Sequence, residues 1–343
     1  MSPPAIAVII PCRNEVRTIG GLLDDLAAQG VAGLTVVVAD GCSDDGTWEL
    51  LRERATTGRD PFRLVPVENP DRSIPHGLNR AVEVAPAGII IRLDAHGRIG
   101  PGYLQAIADA IGERHDLLVG PRIVMVPGRP GAMAEAIAAV LNSPVGSGGT
   151  PSRGKLSEPR PVAHTVMSCW HRAVWEGNGG YDESLLSNED FAFDWAARSR
   201  GCTVLSLPEP VYRLEARGTL AALARQRWRY GWWKAAVLRR HPGSLHLRQL
   251  LPVAELLAIA PLAIWAPWVL AGLAMAWLAL VWAVVLPAIR RSGVAHPIAA
   301  ALFAPPVAAV IQLVWAAGLI FGMVLNHPGQ PRTVAQRATT GGA

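Results

Sequence analysis

GIIIRLDAH, Gly88 to His96, is an apolar run that ends on a carboxylate. Gly88 to Leu93 reads as a buried strand, and Asp94-Ala95-His96 follows at once. Two upstream stretches make the same transition: VIIPCRNE, Val8 to Glu15, and VVVADGCSDDGT, Val36 to Thr47. Each β-rich run delivers polar and acidic groups at its C-terminal end. In an open α/β sheet, ligands bind in the crevice outside those ends. A carboxylate there, one residue away from a second metal-capable side chain, suits a divalent cation bridging a diphosphate.

Helical periodicity fills the gaps between these runs. Residues 5–10 read as a first strand, and Ile19, Leu22, Leu23 and Leu26 line one face of a helix over 18–28. A second strand over 34–39, a helix over 47–55, a strand over 62–67 and a helix over 73–84 lead into the Gly88 strand. Alternating β and α elements with apolar, β-branched strands predict a parallel sheet covered on both faces. A helix over 101–112 and a strand over 117–126 follow. The Gly-, Ser- and Pro-rich stretch 142–161 predicts a mobile loop, and strand-like sequence at 165–174 and 202–208 brackets Asn188-Glu189-Asp190.

The chain has 343 residues and a formal net charge of +5, unevenly spread. Between Leu250 and Asn326 the charged residues are Glu255, Arg290 and Arg291. That stretch reads as membrane-spanning, with a hairpin over 250–289 and a third block over 297–325 broken or kinked at Pro305-Pro306. Three spans would leave the C-terminus outside, whereas a re-entrant third block would return it. Basic residues cluster at 225–240 without forming a stripe through the globular part, which argues against nucleic acid and for an anchor on anionic lipid. Trp228, Tyr230, Trp232 and Trp233 interleave with them, as in a helix lying in the headgroup layer; the alternative is a surface helix whose aromatics enter the core. Cys12, Cys42, Cys169 and Cys202 show no paired spacing and read as free thiols. Residues 1–20 lack a signal-peptide pattern, so the globular part is expected in the cytosol against the cytoplasmic membrane. The expected division is 1–214 catalytic, 215–248 interfacial, 249–326 transmembrane and 327–343 a disordered tail.

Several motif residues have plain structural readings beside the functional ones. Pro11 is expected to stop the first strand, after which Asn14 and Glu15 offer acceptors to a base or ribose, or simply cap the next helix. Asp40 can accept from a uracil imide, whereas Asp45 and Thr47 suit capping of the second helix. His96 is a borderline ligand, better matched to manganese than to magnesium, or a phosphate hydrogen-bonding group. His76 and His164 read as satisfied structural or substrate-contact histidines.

Together these segments resemble the family 2 inverting glycosyltransferases of the nucleotide-diphospho-sugar transferase (GT-A) fold, over about residues 5–240. VIIPCRNE is similar to the family's PxxNE, and VVVADGCSDDGT to its V-D-[DG]-x-S-x-D-G-T. NPDRSIPHGLN, Asn69 to Asn79, is similar to its segment ending in a small residue, x, Asn; DAH stands where the family has DxD. Asn188-Glu189-Asp190 resembles the acidic [ED]-D motif, and Gln226-Arg227-Trp228-Arg229-Tyr230 resembles QxxRW. DAH and the short membrane tail look most like succinoglycan-type bacterial exopolysaccharide glucosyltransferases.

The resemblance implies an α/β GT-A fold, a mostly parallel sheet flanked by helices, followed by transmembrane helices. It implies a nucleotide-sugar donor held by Pro11, Arg13, Asn14, Glu15, Asp40, Ser43, Asp45, Asn79, Asp94 and Gln226. It implies Mn2+ or Mg2+ on Asp94 and His96, Asp190 as catalytic base with Glu189 as fallback, and Arg229 against the charge of the departing diphosphate. The expected partners are a UDP-sugar, a polyprenyl-linked saccharide acceptor and membrane lipid, with no nucleic acid. The rivals are a processive polysaccharide synthase, which usually needs more spans, and a non-catalytic nucleotide-sugar-binding scaffold. A dinucleotide oxidoreductase lacks its GxGxxG after strand one. A channel or transporter would need more intramembrane ionisable residues than Glu255.

Overall fold

The computed structural model describes residues 5–86, 88–154 and 156–325; the segment read as a disordered tail, 327–343, lies outside them. The α/β part runs β1 (Ile6–Cys12), α1 (Ile19–Ala27), β2 (Thr35–Asp40), α2 (Thr47–Thr57), β3 (Arg63–Glu68), α3 (Ile74–Val84) and β4 (Ile89–Arg92). After it come β5 (Gly97–Ile99), α4 (Tyr103–Ile111), β6 (Leu117–Val126), α5 (Ala132–Leu141), α6 (Pro144–Ser147), β7 (Arg160–Pro161), β8 (Cys169–His171), α7 (Arg172–Asn178), α8 (Glu189–Ser199) and β9 (Thr203–Glu215). The helical part is α9 (Leu220–Arg240), α10 (Leu251–Trp265), α11 (Pro267–Ser292), α12 (Pro297–Ala309), a π-helical turn at Val310–Val314, and α13 (Trp315–Leu325).

The strands form one sheet in the order β3-β2-β1-β4-β8-β6-β9-β5, with β7 on β9. The four strands expected from the apolar runs pair in parallel; β1, β2 and β4 are buried on both faces, whereas β3 is a half-buried edge strand. The other half differs from the expected parallel sheet: β8 pairs antiparallel with β4 and β6, and β5 antiparallel with β9. β1 continues to β2 and β3 on one side, whereas β4 lies on its other side. The loops after β1 and β4 therefore diverge, and the crevice between them is the topological switch point where open α/β sheets bind ligands.

Pro11 does not stop β1, which runs to Cys12 with Pro11 opposite Ala39. The reason lies in the hydrogen-bond pattern. The Ile9 carbonyl faces β4 and accepts from Leu93 N–H. Pro11, two residues on, faces the same way after β4 has ended, so its missing N–H leaves no ladder position empty. Cys12 faces β2 and its carbonyl accepts from Gly41 N–H. The stretch 142–161 is not a plain loop either: it contains α6, a 3₁₀ turn at Pro151–Arg153 and β7.

The described residues divide into two compact units, one of residues 5–123 and 156–214, the other of 124–154 and 215–325. In the second unit three helical stretches, Leu247–Trp265, Pro267–Ser292 and Pro297–Leu325, are long and apolar enough to cross a membrane. The third is not broken at Pro305-Pro306. The helix passes through both prolines and widens into the π turn just beyond them. α9 packs along α13 through small residues, with Gly231 against the Trp315 carbonyl and Gly318 against the Trp228 carbonyl. Lys234 of α9 is turned into the protein. It is buried, its Nζ donates to the Ser244 carbonyl at 3.1 Å, and burial lowers its pKa to about 8.

Candidate active site

The loops after β1 and β2 are bound to each other. Asn14 N–H donates to Ser43 Oγ at 2.8 Å, and Asp44 N–H donates to Asn14 Oδ1 at 3.0 Å. Ser43 Oγ donates to Asp40 Oδ1 at 2.5 Å, and Glu15 N–H donates to Thr47 Oγ1 at 2.9 Å. Asn14 and Cys42 hold left-handed backbone, φ 56° and 55°, a conformation that bulky residues avoid. Asp45 accepts from Thr47 Oγ1 and from the N–H groups of Thr47 and Val16, so it satisfies the first N–H of α2 from one residue before the N-cap, Gly46, and ties the helix to the first loop. Burial raises its pKa, but these bonds together outweigh burial and hold it below the ordinary value. Arg13 is exposed and packs its stem near Gly41.

The turn after β4 is fixed by a tyrosine. Tyr212 Oη accepts from Asp94 N–H at 2.9 Å and donates to the Asp94 carbonyl at 2.8 Å. A side chain at Gly97 would collide with this hydroxyl. His96 turns toward the β1 loop, with Nδ1 3.1 Å from Glu15 Oε1. Glu15 Oε2 accepts from Thr18 Oγ1 at 2.7 Å. The first and third sequence motifs therefore meet at the switch point.

Arg92 joins this group to α8. Its Nη2 donates to Glu189 Oε1 at 3.1 Å and lies 3.7 Å from Asp94 Oδ1. The guanidinium is buried, and its Nε and Nη1 have no hydrogen-bond partner among the described residues. Burial opposes its charge, but Asp94 and then Glu189 raise its pKa well above the ordinary value. Glu189 is itself buried. That burial, and then Asp190, push its pKa up to about 7 against the pull of Arg92. Asn188, with φ 61°, turns the chain into α8 so that Glu189 and Asp190 open the helix. Negative charge is favoured there. Asp190 Oδ2 lies 3.7 Å from His164 Nε2.

Sequence reasoning missed Arg92 and Tyr212 and read His164 as a satisfied structural or substrate-contact histidine. A signal for Arg92 existed: in a strand of period two it shares a face with Asp94. Asn79 departs from expectation. It is fully buried, and both its amide atoms are used inside the protein. Nδ2 donates to the Tyr181 carbonyl and Glu183 Oε1, at 2.9 and 2.7 Å, while Oδ1 accepts from Trp175 Nε1 and Tyr181 N–H, at 3.0 and 2.7 Å. An amide so used has no group to offer a donor sugar. Gln226 and Arg229 are on α9 in the second unit: Gln226 Nε2 donates to Tyr230 Oη at 3.2 Å, and Arg229 lies 6.0 Å from the Tyr230 ring centre.

Among the described residues no three His, Cys, Asp or Glu side chains form a ready metal cage. The donor set still fits a cation that a substrate completes. Magnesium-type ions are commonly held by one or two carboxylates plus phosphate oxygens. Asp94 supplies a part-exposed carboxylate, and the Glu15 contact at His96 Nδ1 is the arrangement that orients an imidazole to ligate through its other nitrogen.

Comparison with known proteins is consistent with this geometry. The model of glycosyl transferase family 2 matches residues 7–166, and that of glycosyl transferase family group 2 matches 89–324. The chain is 32% identical over 261 residues to the succinoglycan biosynthesis protein ExoA of Rhizobium meliloti (strain 1021), covering 75% of this chain and 76% of that protein. Mannosyltransferase PcManGT from Pyrobaculum calidifontis, solved with GDP-Man and Mn2+, matches with a TM-score of 0.56 at 23% identity, over 94% of this chain and 87% of that one. The 1–349 fragment of S. aureus TarS, solved with UDP-GlcNAc, matches with a TM-score of 0.51 at 17% identity, over 92% and 90%. Of a longer TarS chain, 43% is covered. At these identities the solved structures establish the fold, which is GT-A, and nothing finer.

Proposed function

The chain belongs to glycosyl transferase family 2, and on that premise we propose that it moves a sugar from a nucleotide-diphospho-sugar to a polyprenyl-linked saccharide, with inversion at the anomeric carbon. The observation that carries this reading is a pair of polar runs that meet at the switch point. One runs from Asp40 and Ser43 through Asn14 to Glu15 and His96, and the other from Asp94 through Arg92 to Glu189 and Asp190.

In this reading the loops after β1 and β2 hold the nucleoside, with Asp40 accepting from a uracil imide and Glu15 from ribose. Asp94 and His96 would hold a divalent cation, which supplies charge neutralisation at the diphosphate. Asp190, at the mouth of α8, takes the proton of the acceptor hydroxyl as its oxygen attacks in line. Arg92 holds Glu189 and Asp94 in one arrangement, so the base helix and the DAH turn keep a fixed relation. Roles for Gln226 and Arg229 rest on the motif alone. The acceptor class is supported by the three apolar helices and by the likeness to a succinoglycan biosynthesis protein; in this reading the work is exopolysaccharide or envelope glycan synthesis at the cytoplasmic membrane.

The test is nucleotide release by the detergent-solubilised full chain. It would be offered UDP-glucose, UDP-galactose, UDP-GlcNAc and GDP-mannose with Mn2+ or Mg2+, with and without bacterial lipid extract. We expect metal-dependent turnover of one donor, raised by the lipid extract. A cation at the diphosphate is worth several kcal/mol, so Asp94→Ala should cost on the order of a hundredfold or more in kcat. Turnover indifferent to Asp94→Ala would overturn the metal assignment. Turnover equal with and without lipid extract would overturn the acceptor.

A further inference from the structure

His164 is more than a satisfied histidine. It sits between two carboxylates of α8 spaced one turn apart, Asp190 and Asp194. Asp194 is fully buried and receives hydrogen bonds at both oxygens: Ser168 Oγ at 2.6 Å on Oδ1, and Thr165 N–H at 3.0 Å on Oδ2. His164 Nδ1 completes this set at 2.8 Å from Oδ2. An acceptor already taking two donors fixes Nδ1 as the protonated ring nitrogen. Nε2 is then the position that changes state, and it faces Asp190 Oδ2 at 3.7 Å. Such contacts are often long without substrate and tighten when it binds. The Phe191 ring covers the imidazole at 5.3 Å between centres.

We propose that His164, clamped by Asp194, relays the proton that Asp190 takes from the acceptor hydroxyl. The proposal rests on the reading of Asp190 as base. The acceptor O–H bond breaks as its oxygen bonds the anomeric carbon. The bond from that carbon to the diphosphate oxygen breaks, and its electron pair leaves with the nucleoside diphosphate. The proton passes to Asp190, then to His164 Nε2, and the imidazolium returns it to solvent. His164 touches no reacting atom; it acts through Asp190 and is a positioning and relay residue.

The charged groups facing the imidazole are Asp190 and Asp194 from α8 and Arg92 from β4. Burial works against imidazolium, Asp190 and then Asp194 favour it, and Arg92 opposes it, for a net pKa above the usual 6.5. A relay must begin neutral. Activity is therefore present above this raised pKa and is lost as pH falls through it.

The experiment is the pH profile of nucleotide release by the detergent-solubilised full chain, with the donor turned over in the assay above and bacterial lipid extract. Wild type would run beside His164→Asn, His164→Gln, Asp194→Asn and Asp190→Asn. UDP and GDP binding by thermal shift would report that each variant keeps its fold. We expect both His164 variants to lose on the order of tenfold to a hundredfold in kcat, with donor KM within about twofold, and to lose the acid limb. Asp194→Asn should move that limb to lower pH, because it removes a carboxylate that favours imidazolium. A limb retained in folded His164→Asn and His164→Gln, whatever the fall in kcat, would assign it to another group such as Glu189 and overturn the relay. Inactive Asp190→Asn beside unaffected His164 variants would reject the relay and keep the base. Active Asp190→Asn would reject the base itself.

Discussion

Asn79 and Arg92 show how differently single residues of this site could be read. The four bonds of Asn79 brace the Trp175–Glu183 segment, about a hundred residues away in the chain. Asn79→Ala would orphan Trp175 Nε1 and the Tyr181 N–H and carbonyl. Each buried orphan costs about 1–3 kcal/mol, so we expect a loss of roughly 3 kcal/mol or more in chemical denaturation. Donor KM, measured well below the unfolding range, should stay within about twofold; a large rise in KM would restore the donor-binding role. The spacing of a small residue and an Asn on a helix says nothing about which distant segment packs over it, so this role was not legible. Glu15, Asp40 and Asp94 were legible as a group because strand ends are set by local apolar runs, and parallel strands bring their ends to one edge. Arg92 was legible by the period-two rule and was hidden by the apolar run around it. His164 was not, because its meaning depends on Asp194, whose helix face is defined only once α8 has docked.

At the scale of elements, alternating β and α segments could be placed because β1, β2 and β4 are buried on both faces and α1 and α3 on one, patterns that survive without tertiary information. The antiparallel half could not be placed this way. β5 has three residues and β8 three, and their pairings, such as Ile99 with Tyr212 and Leu118 with Trp170, join segments with no shared local periodicity. The α9–α13 seam belongs to the same class: Gly231, Gly318 and Gly322 look unremarkable in sequence, yet each faces the backbone of the opposite helix. Small residues at such seams allow close backbone approach, which drives helix association in apolar surroundings. Gly231→Leu should separate the helices, at about 1–3 kcal/mol as for other overpacked interiors, seen as a lower thermal midpoint in detergent. Gly272→Leu is the control, since nothing lies near that position. Equal midpoints for the two variants would mean the seam contributes nothing.

At the scale of the whole molecule, the chain visits its second unit twice, at 124–154 and again from 215. There α5 packs on α12 and α11, and α9 on α13. Cutting just before α10, between residues 248 and 249, therefore removes the partners of two helices on the retained side. An apolar helix such as α5, with Ala134, Ile137, Val140 and Leu141 buried, would be left uncovered. Exposed patches of that kind lead to association or aggregation. A fragment of residues 1–248 is thus expected to be insoluble or aggregated without detergent. The full chain should stay with membranes through alkaline extraction, come out with detergent, and run as a defined species on size exclusion. A monomeric, detergent-free 1–248 fragment that still released nucleotide with donor would show that the apolar helices only tether the enzyme, and that α5 and α9 hold their places without them.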